Sequence, residues 1–200
     1  MKKDEIQAMV ETGVFVGIAI VLDLVFGAIY SLPYGGSIGL SMLPIFMIAS
    51  RRGLRYGLIS GILFGLIQTM IRVYFLNFLQ YFLDYILAFT VLGIGALIPK
   101  TLTKVSRFVS LILLGSFLRL IAASLAGVAY WAEYIPGEMA WVDSIFHTNI
   151  VGSLSQNALI FFGAFIYNSL YMIPSALFCV IIGIIIHKRG ILQYNINRLS

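Results

Sequence analysis

The chain has 200 residues, of which 60% are hydrophobic and only 10% charged, with a net charge of +5 and a mean hydropathy of +1.00. Water-soluble domains carry about 25% charged residues, so a soluble enzyme or binding module is excluded. The figures describe a small polytopic membrane protein, undivided by any polar linker and read as one domain over residues 1–200.

In chain order, the opening "MKKDEIQAMVETGVFVGIAIVLDLVF" starts like a secretory signal, but its apolar part is long and lacks a small-residue cleavage site. It reads as a first membrane helix over 8–29. A short second helix follows at 39–50, broken or tilted, with "GGSIGLSMLP" as a half-inserted approach. The third, 54–72, begins directly after "RRGL", so the two form a tight hairpin. In it Gly57, Gly61 and Gly65 recur every four residues and mark a face for close helix packing. Further helices are expected at 80–98, 108–131 and 158–187. Cys179, the single cysteine, lies in the last of these and can form no intramolecular disulfide.

Lys and Arg in short connections set orientation. Eleven of the 13 basic residues fall at the N-terminus, in alternate connections (Arg51, Arg52 and Arg55; Lys100, Lys104 and Arg107) and at the C-terminus. The other connections, "SLPYGGSIG", "YFLNFLQ" and 132–157, hold no Lys or Arg, and the last carries Glu133, Glu138 and Asp143. The expectation is an all-α integral membrane protein of six transmembrane helices with both termini cytoplasmic.

Four charges then lie well inside the helices or towards their outer ends: Asp23, Arg72, Asp84 and Arg119. A charge at such depth costs a few kcal/mol and faces a cavity or a partner. Asp84 stands out in "FLQYFLDYILAF", where every neighbour is aromatic, aliphatic or amide. Near it, at the outer ends of the helices, cluster Tyr30, Tyr34, Tyr74, Tyr85, Tyr130, Trp131, Tyr134, Trp141, Tyr167 and Tyr171, whereas the inner ends have only Tyr56 and Tyr194. An interfacial aromatic belt accounts for some of these. Rings beside a carboxylate also suit an outward-facing site for a flat organic cation. The competing reading is a structural ion pair of Asp84 with Arg72 or Arg119 in a membrane scaffold protein. No His, Cys and carboxylate cluster has metal-ligand spacing, and no phosphate-binding G-x-x-x-x-G-K-[ST] loop is present, so no enzyme activity, cofactor or resident ATPase is expected. Internal inverted repeats, the mark of many self-sufficient secondary transporters, are also missing.

The stretches "GGSIGLSMLPIFMIASRRGLRYGLISGILFGLIQ" and "QYFLDYILAFTVLGIGAL", with "AGVAYWAEYIPG" and "YNSLYMIP" in the same order, resemble the thiamine-specific S components of energy-coupling factor (ECF) transporters. The resemblance implies a six-helix subunit of the prokaryotic cell membrane. It captures a vitamin outside, for ATP-driven uptake through a coupling membrane subunit and two ATPase subunits. It implies substrate contacts at Asp84, which falls on the carboxylate that binds the aminopyrimidine, and at Tyr85, Tyr74, Gly127, Trp131 and Asn168. Tyr34 falls on the aromatic residue of a loop that closes over the ligand. Gly13 and Gly17 fall where small residues of the first helix contact the coupling subunit. Two positions depart from the pattern: Ala123 stands where a histidine is usual and Gly163 where a tyrosine is expected. The alternatives are an S component for another vitamin or a thiamine precursor, or a non-transport scaffold.

Overall fold

The structure, a computed structural model, describes residues 3–71 and 78–193. Its helices are α1 (Lys3–Ile29), α2 (Met42–Arg52), α3 (Leu54–Ile71), α4 (Phe78–Leu97), α5 (Val105–Tyr130), α6 (Ile135–Phe146) and α7 (Gln156–Lys188). Short helical turns follow at Ile150–Ser153 and Ile191–Gln193. Five of these, α1, α3, α4, α5 and α7, are long and apolar enough to cross a membrane.

The second helix differs from the expected spans. With 11 residues it is about 17 Å long, roughly half the hydrocarbon thickness. Ile45, Phe46 and Ile48 are wholly buried, so it is a core helix enclosed by the others. A strap of residues 30–41 continues from α1 and leads into it.

The long helices divide their faces by solvent. On α1 the buried positions Ala8, Thr12, Val16, Ala19 and Asp23 recur at three- and four-residue spacing, while Val10, Val14, Val21 and Val25 face outward. Glu11 holds α1 to the end of α2, accepting from Arg52 (2.7 and 2.9 Å) and from Arg51 (3.2 Å). The glycine face of α3 is a close-packing face, as its spacing suggested. A Cβ on Gly61 or Gly65 would strike the backbone of Phe89 or Tyr85 on α4.

α4 is irregular. Its middle, Phe82–Leu87, is a π-helical turn and its last part, Val91–Leu97, is a 3₁₀ helix. Isolated π turns inside α-helices occur often at functional sites, and this one carries Asp84 and Tyr85.

The connection 132–157 contains a helix, α6, that the sequence reading leaves as loop. Pro136 sits in its first turn, and Ile135, Met139 and Val142 form a buried stripe against α7. Two apolar clusters result. One surrounds α2 with Phe46, Phe64 and Phe108, and the other joins Leu32 of the strap to α6 and α7; Tyr171 packs against both.

Candidate ligand-binding cavity

Where these clusters meet, the molecule encloses a cavity of about 530 Å³, within the 300–1,000 Å³ common for small-ligand sites. Its wall includes Asp84 and Tyr85 from α4, Gly127 and Trp131 from α5, Asn168 from α7 and Tyr34 from the strap. Six of the seven substrate-contact positions implied by sequence therefore converge. The seventh, Tyr74, lies outside the described residues, as does Arg72. Gly13 and Gly17 lie elsewhere, on the outward face of α1 with no atom within 4 Å of a Cβ placed there.

Asp84 accepts hydrogen bonds from the Gln80 amide (2.5 Å) and the Trp131 indole N–H (2.8 Å). No ion pair joins it to Arg119 among the described residues. Arg119 instead lies deeper, its guanidinium 4.0 Å above the Phe89 ring. Nearby, Gln68 donates to Asp23 at 2.9 Å. The structural ion pair between Asp84 and Arg119 is thus not formed, and both side chains line the cavity.

Asn168 is oriented from both ends. Its Nδ2 donates to the Ala164 carbonyl (2.8 Å) and its Oδ1 accepts from the Tyr171 hydroxyl (2.5 Å). Gly127 lets α5 cross close to α7 here, since a Cβ would stand 3.1 Å from that of Ala164.

The strap forms part of the wall through Pro33, Tyr34, Gly35, Gly36 and Ser37. The Tyr167 hydroxyl accepts from the Tyr34 backbone N–H (3.0 Å) and donates to the Gly35 carbonyl (3.3 Å). Farther along, Gly39 N–H donates to Ser175 Oγ (3.1 Å). Gly36 has φ +84°, and a Cβ there would stand 2.5 Å from the Tyr171 ring. Conformation and space both demand glycine. The Tyr34 ring meets the edge of Tyr167 at 6.3 Å, and its hydroxyl lies 3.2 Å from where Gly137 would carry a Cβ. The strap thus rests on α6 and α7 together.

Several wall residues were not singled out as contacts from sequence: Gln80, Phe89, Tyr134, Glu138, Tyr167 and Tyr171. Glu138 comes from α6, and burial pushes its carboxyl up to about 7. Trp141 packs on Tyr167 (6.3 Å), outside the cavity lining. His147 ends α6 in the left-handed conformation and is exposed. Of the two departures, Ala123 lines the cavity. At Gly163 a Cβ would stand 2.5 Å from Ile135 and 3.0 Å from Met139, so α6 occupies the space a larger side chain would need.

A family model described as thiamine transporter protein matches residues 9–162. The chain is 32% identical over 186 residues to thiamine transporter ThiT of Bacillus subtilis (strain 168), covering 87% of this chain and 86% of that one. The solved structure of ThiT from Listeria monocytogenes has the same fold, with a TM-score of 0.73 at 21% identity over 94% of this chain and 96% of that one.

Proposed function

The chain belongs to the thiamine transporter protein family, and we propose that its cavity captures thiamine at the outer face of the cell membrane, as the S component of an ECF-type importer. The observation that carries this reading is the cavity itself, walled by tyrosine, tryptophan and phenylalanine rings around an acid, Asp84, that no described Lys or Arg pairs. Thiamine joins an aminopyrimidine to a cationic thiazolium. The two donors already on Asp84 leave acceptor capacity for the amino group, and the rings supply faces for a cation.

Tyr85, Trp131, Asn168 and Gly127 shape the slot, Tyr74 contributes in the same role, and the Tyr34 strap closes it. Uptake is completed by a coupling membrane subunit and two ATPase subunits, with Gly13 and Gly17 as the docking contact on α1. Their open, outward face supports that assignment. Both termini lie in the cytoplasm, on the side of the basic connections.

The test is calorimetric titration of detergent-solubilised protein with thiamine, with the free aminopyrimidine moiety and other vitamins as competitors. Asp84→Asn is expected to weaken thiamine binding by about 1–3 kcal/mol, the scale of a lost charge-assisted hydrogen bond. Unchanged affinity would remove Asp84 from the site. Binding of the pyrimidine but not of thiamine would change the substrate, and silence with every candidate would defeat the reading.

A further inference from the structure

The stripe that holds α6 against α7 has a second consequence. Ile135, Met139 and Val142 occupy positions i, i+4 and i+7, and Glu138 occupies i+3 of the same stripe. Close packing at Gly163 fixes the helix's rotation and carries Glu138 inward, where it is 7% exposed and lines the cavity. Its carboxylate has no hydrogen bond and no ion pair among the described residues. Packing alone would favour an apolar residue, because a buried unpaired acid is costly.

Resting on the thiamine reading above, we propose that Glu138 is a second ligand-binding carboxylate, facing the permanently cationic ring of the substrate while Asp84 receives its amino group. The difference between the two acids assigns the roles. Asp84 is held by two directional donors and is suited to accept a third from an N–H. Glu138 has none, and a quaternary ring offers charge but no N–H. Tyr167 interacts with it, Tyr34 lies against the neighbouring Gly137, and both tyrosines line the same cavity, where aromatic rings can attract a cation.

In the empty site Glu138 is about half protonated at neutral pH, since its carboxyl titrates near 7. A cation favours the ionised form, so thiamine binds more tightly above that value, less tightly below it, and releases a proton on binding. The titratable and charged groups that line the cavity with Glu138 are Tyr34 of the strap, Tyr134 before α6, Tyr167 and Tyr171 of α7, Asp84 and Tyr85 of α4, Arg119 of α5 and Asp23 of α1. Tyrosine ordinarily titrates near pH 10 and arginine stays charged throughout, and comparison with Glu138→Gln subtracts any share of Asp84 and Asp23.

The experiment measures thiamine affinity from pH 6 to 8 for the wild type, Glu138→Gln and Glu138→Asp. It is run beside an isosteric analogue with a neutral thiophene in place of the thiazolium. Wild-type affinity for thiamine should rise about tenfold over this range, following the ionised fraction, while the analogue's stays flat. Glu138→Gln should give a flat thiamine profile and lose the preference for the cation, and Glu138→Asp should keep it. If Glu138→Gln retains the wild-type profile and preference, the proposal falls and thiamine capture stands. A wild type that binds no thiamine overturns both. Should Glu138→Gln fail to fold, identical wild-type pH profiles for thiamine and its neutral isostere would still refute the role.

Discussion

Tyr167→Phe isolates the closure of the strap. It removes one oxygen and keeps the ring, which meets Tyr34 and Trp141 edge-on at 6.3 Å each. Lost with the oxygen are the bond from Tyr34 N–H at 3.0 Å and the bond to the Gly35 carbonyl at 3.3 Å. Neutral hydrogen bonds contribute about 1 kcal/mol each, net of water. The bond from Tyr34 N–H is only partly buried, and the second bond is long. The closed strap therefore loses about 1–2 kcal/mol. Where the strap must lift for the ligand to leave, dissociation accelerates by a factor of about 5–30. Association changes little, as is usual within one binding interface. Stopped-flow displacement of bound thiamine reads the off-rate, with thermal unfolding in detergent as control. An off-rate within twofold of wild type in a protein that melts normally would show that the Tyr167 hydroxyl does not hold the strap.

Two structural predictions accompany those made for Asp84 and Glu138. Gly61→Leu places carbon against the Phe89 and Thr90 backbone of α4, which cannot rotate away as a side chain would. It should cost about 1–3 kcal/mol, seen as a lower melting temperature, and an unaltered one would mean that α3 and α4 are not in backbone contact. Asp143→Ala should raise hydrogen exchange at residues 148–151, because the carboxylate accepts from Thr148 Oγ1 and from the N–H groups of Ile150 and Val151. These bonds hold the Asp143 carboxyl below the usual range. Its contribution is therefore present above the unfolded value near 3.9 and lost as pH falls through the lower folded value. Exchange insensitive to the substitution at pH 7 would count against the cap.

Hydropathy made the long helices legible because a bilayer demands continuous apolar runs, and the four-residue glycine spacing marked a close-packing face on α3, though not which helices it would meet. Six cavity residues could be named because the resemblance to a known family marked them, with Asp84 and the outer aromatic cluster also visible in the residues themselves. What escaped was structure that does not need to span. At 12 residues α6 gives no membrane signal, yet its pattern was readable: Pro136 in the first turn, then an apolar stripe with Glu138 inside it. A stripe at i, i+3, i+4 and i+7 that contains an acid points that acid inward, whether or not the helix crosses a bilayer. The π turn around Asp84 has no counterpart in the apolar pattern of the sequence, which reads as an unbroken helix there. Nor could spacing alone reveal that Arg119 stacks on Phe89 instead of pairing with Asp84.

The packing around the cavity bears on why capture and release would fall to different proteins in the proposed assembly. At the upper wall stand Glu138 and Asp84, acids with no cationic partner among the described residues. On α5, Arg119 sits eight residues below Gly127, about 12 Å deeper at 1.5 Å per residue. Arg119 shares that wall with the Asp23 carboxylate, which interacts with it, and α2 fills the core with wholly buried side chains. Were a cationic vitamin held beside Glu138 and Asp84 as proposed, passage onward would have to cross that packed core. Moving it onward requires displacing helices that are packed backbone to backbone at Gly61 and Gly65, or turning the bundle as a whole. The second leaves the core intact and asks only for a lever on the outside. In the proposed assembly that lever is the coupling subunit, and the face of α1 bearing Gly13 and Gly17 is where the bundle would be gripped.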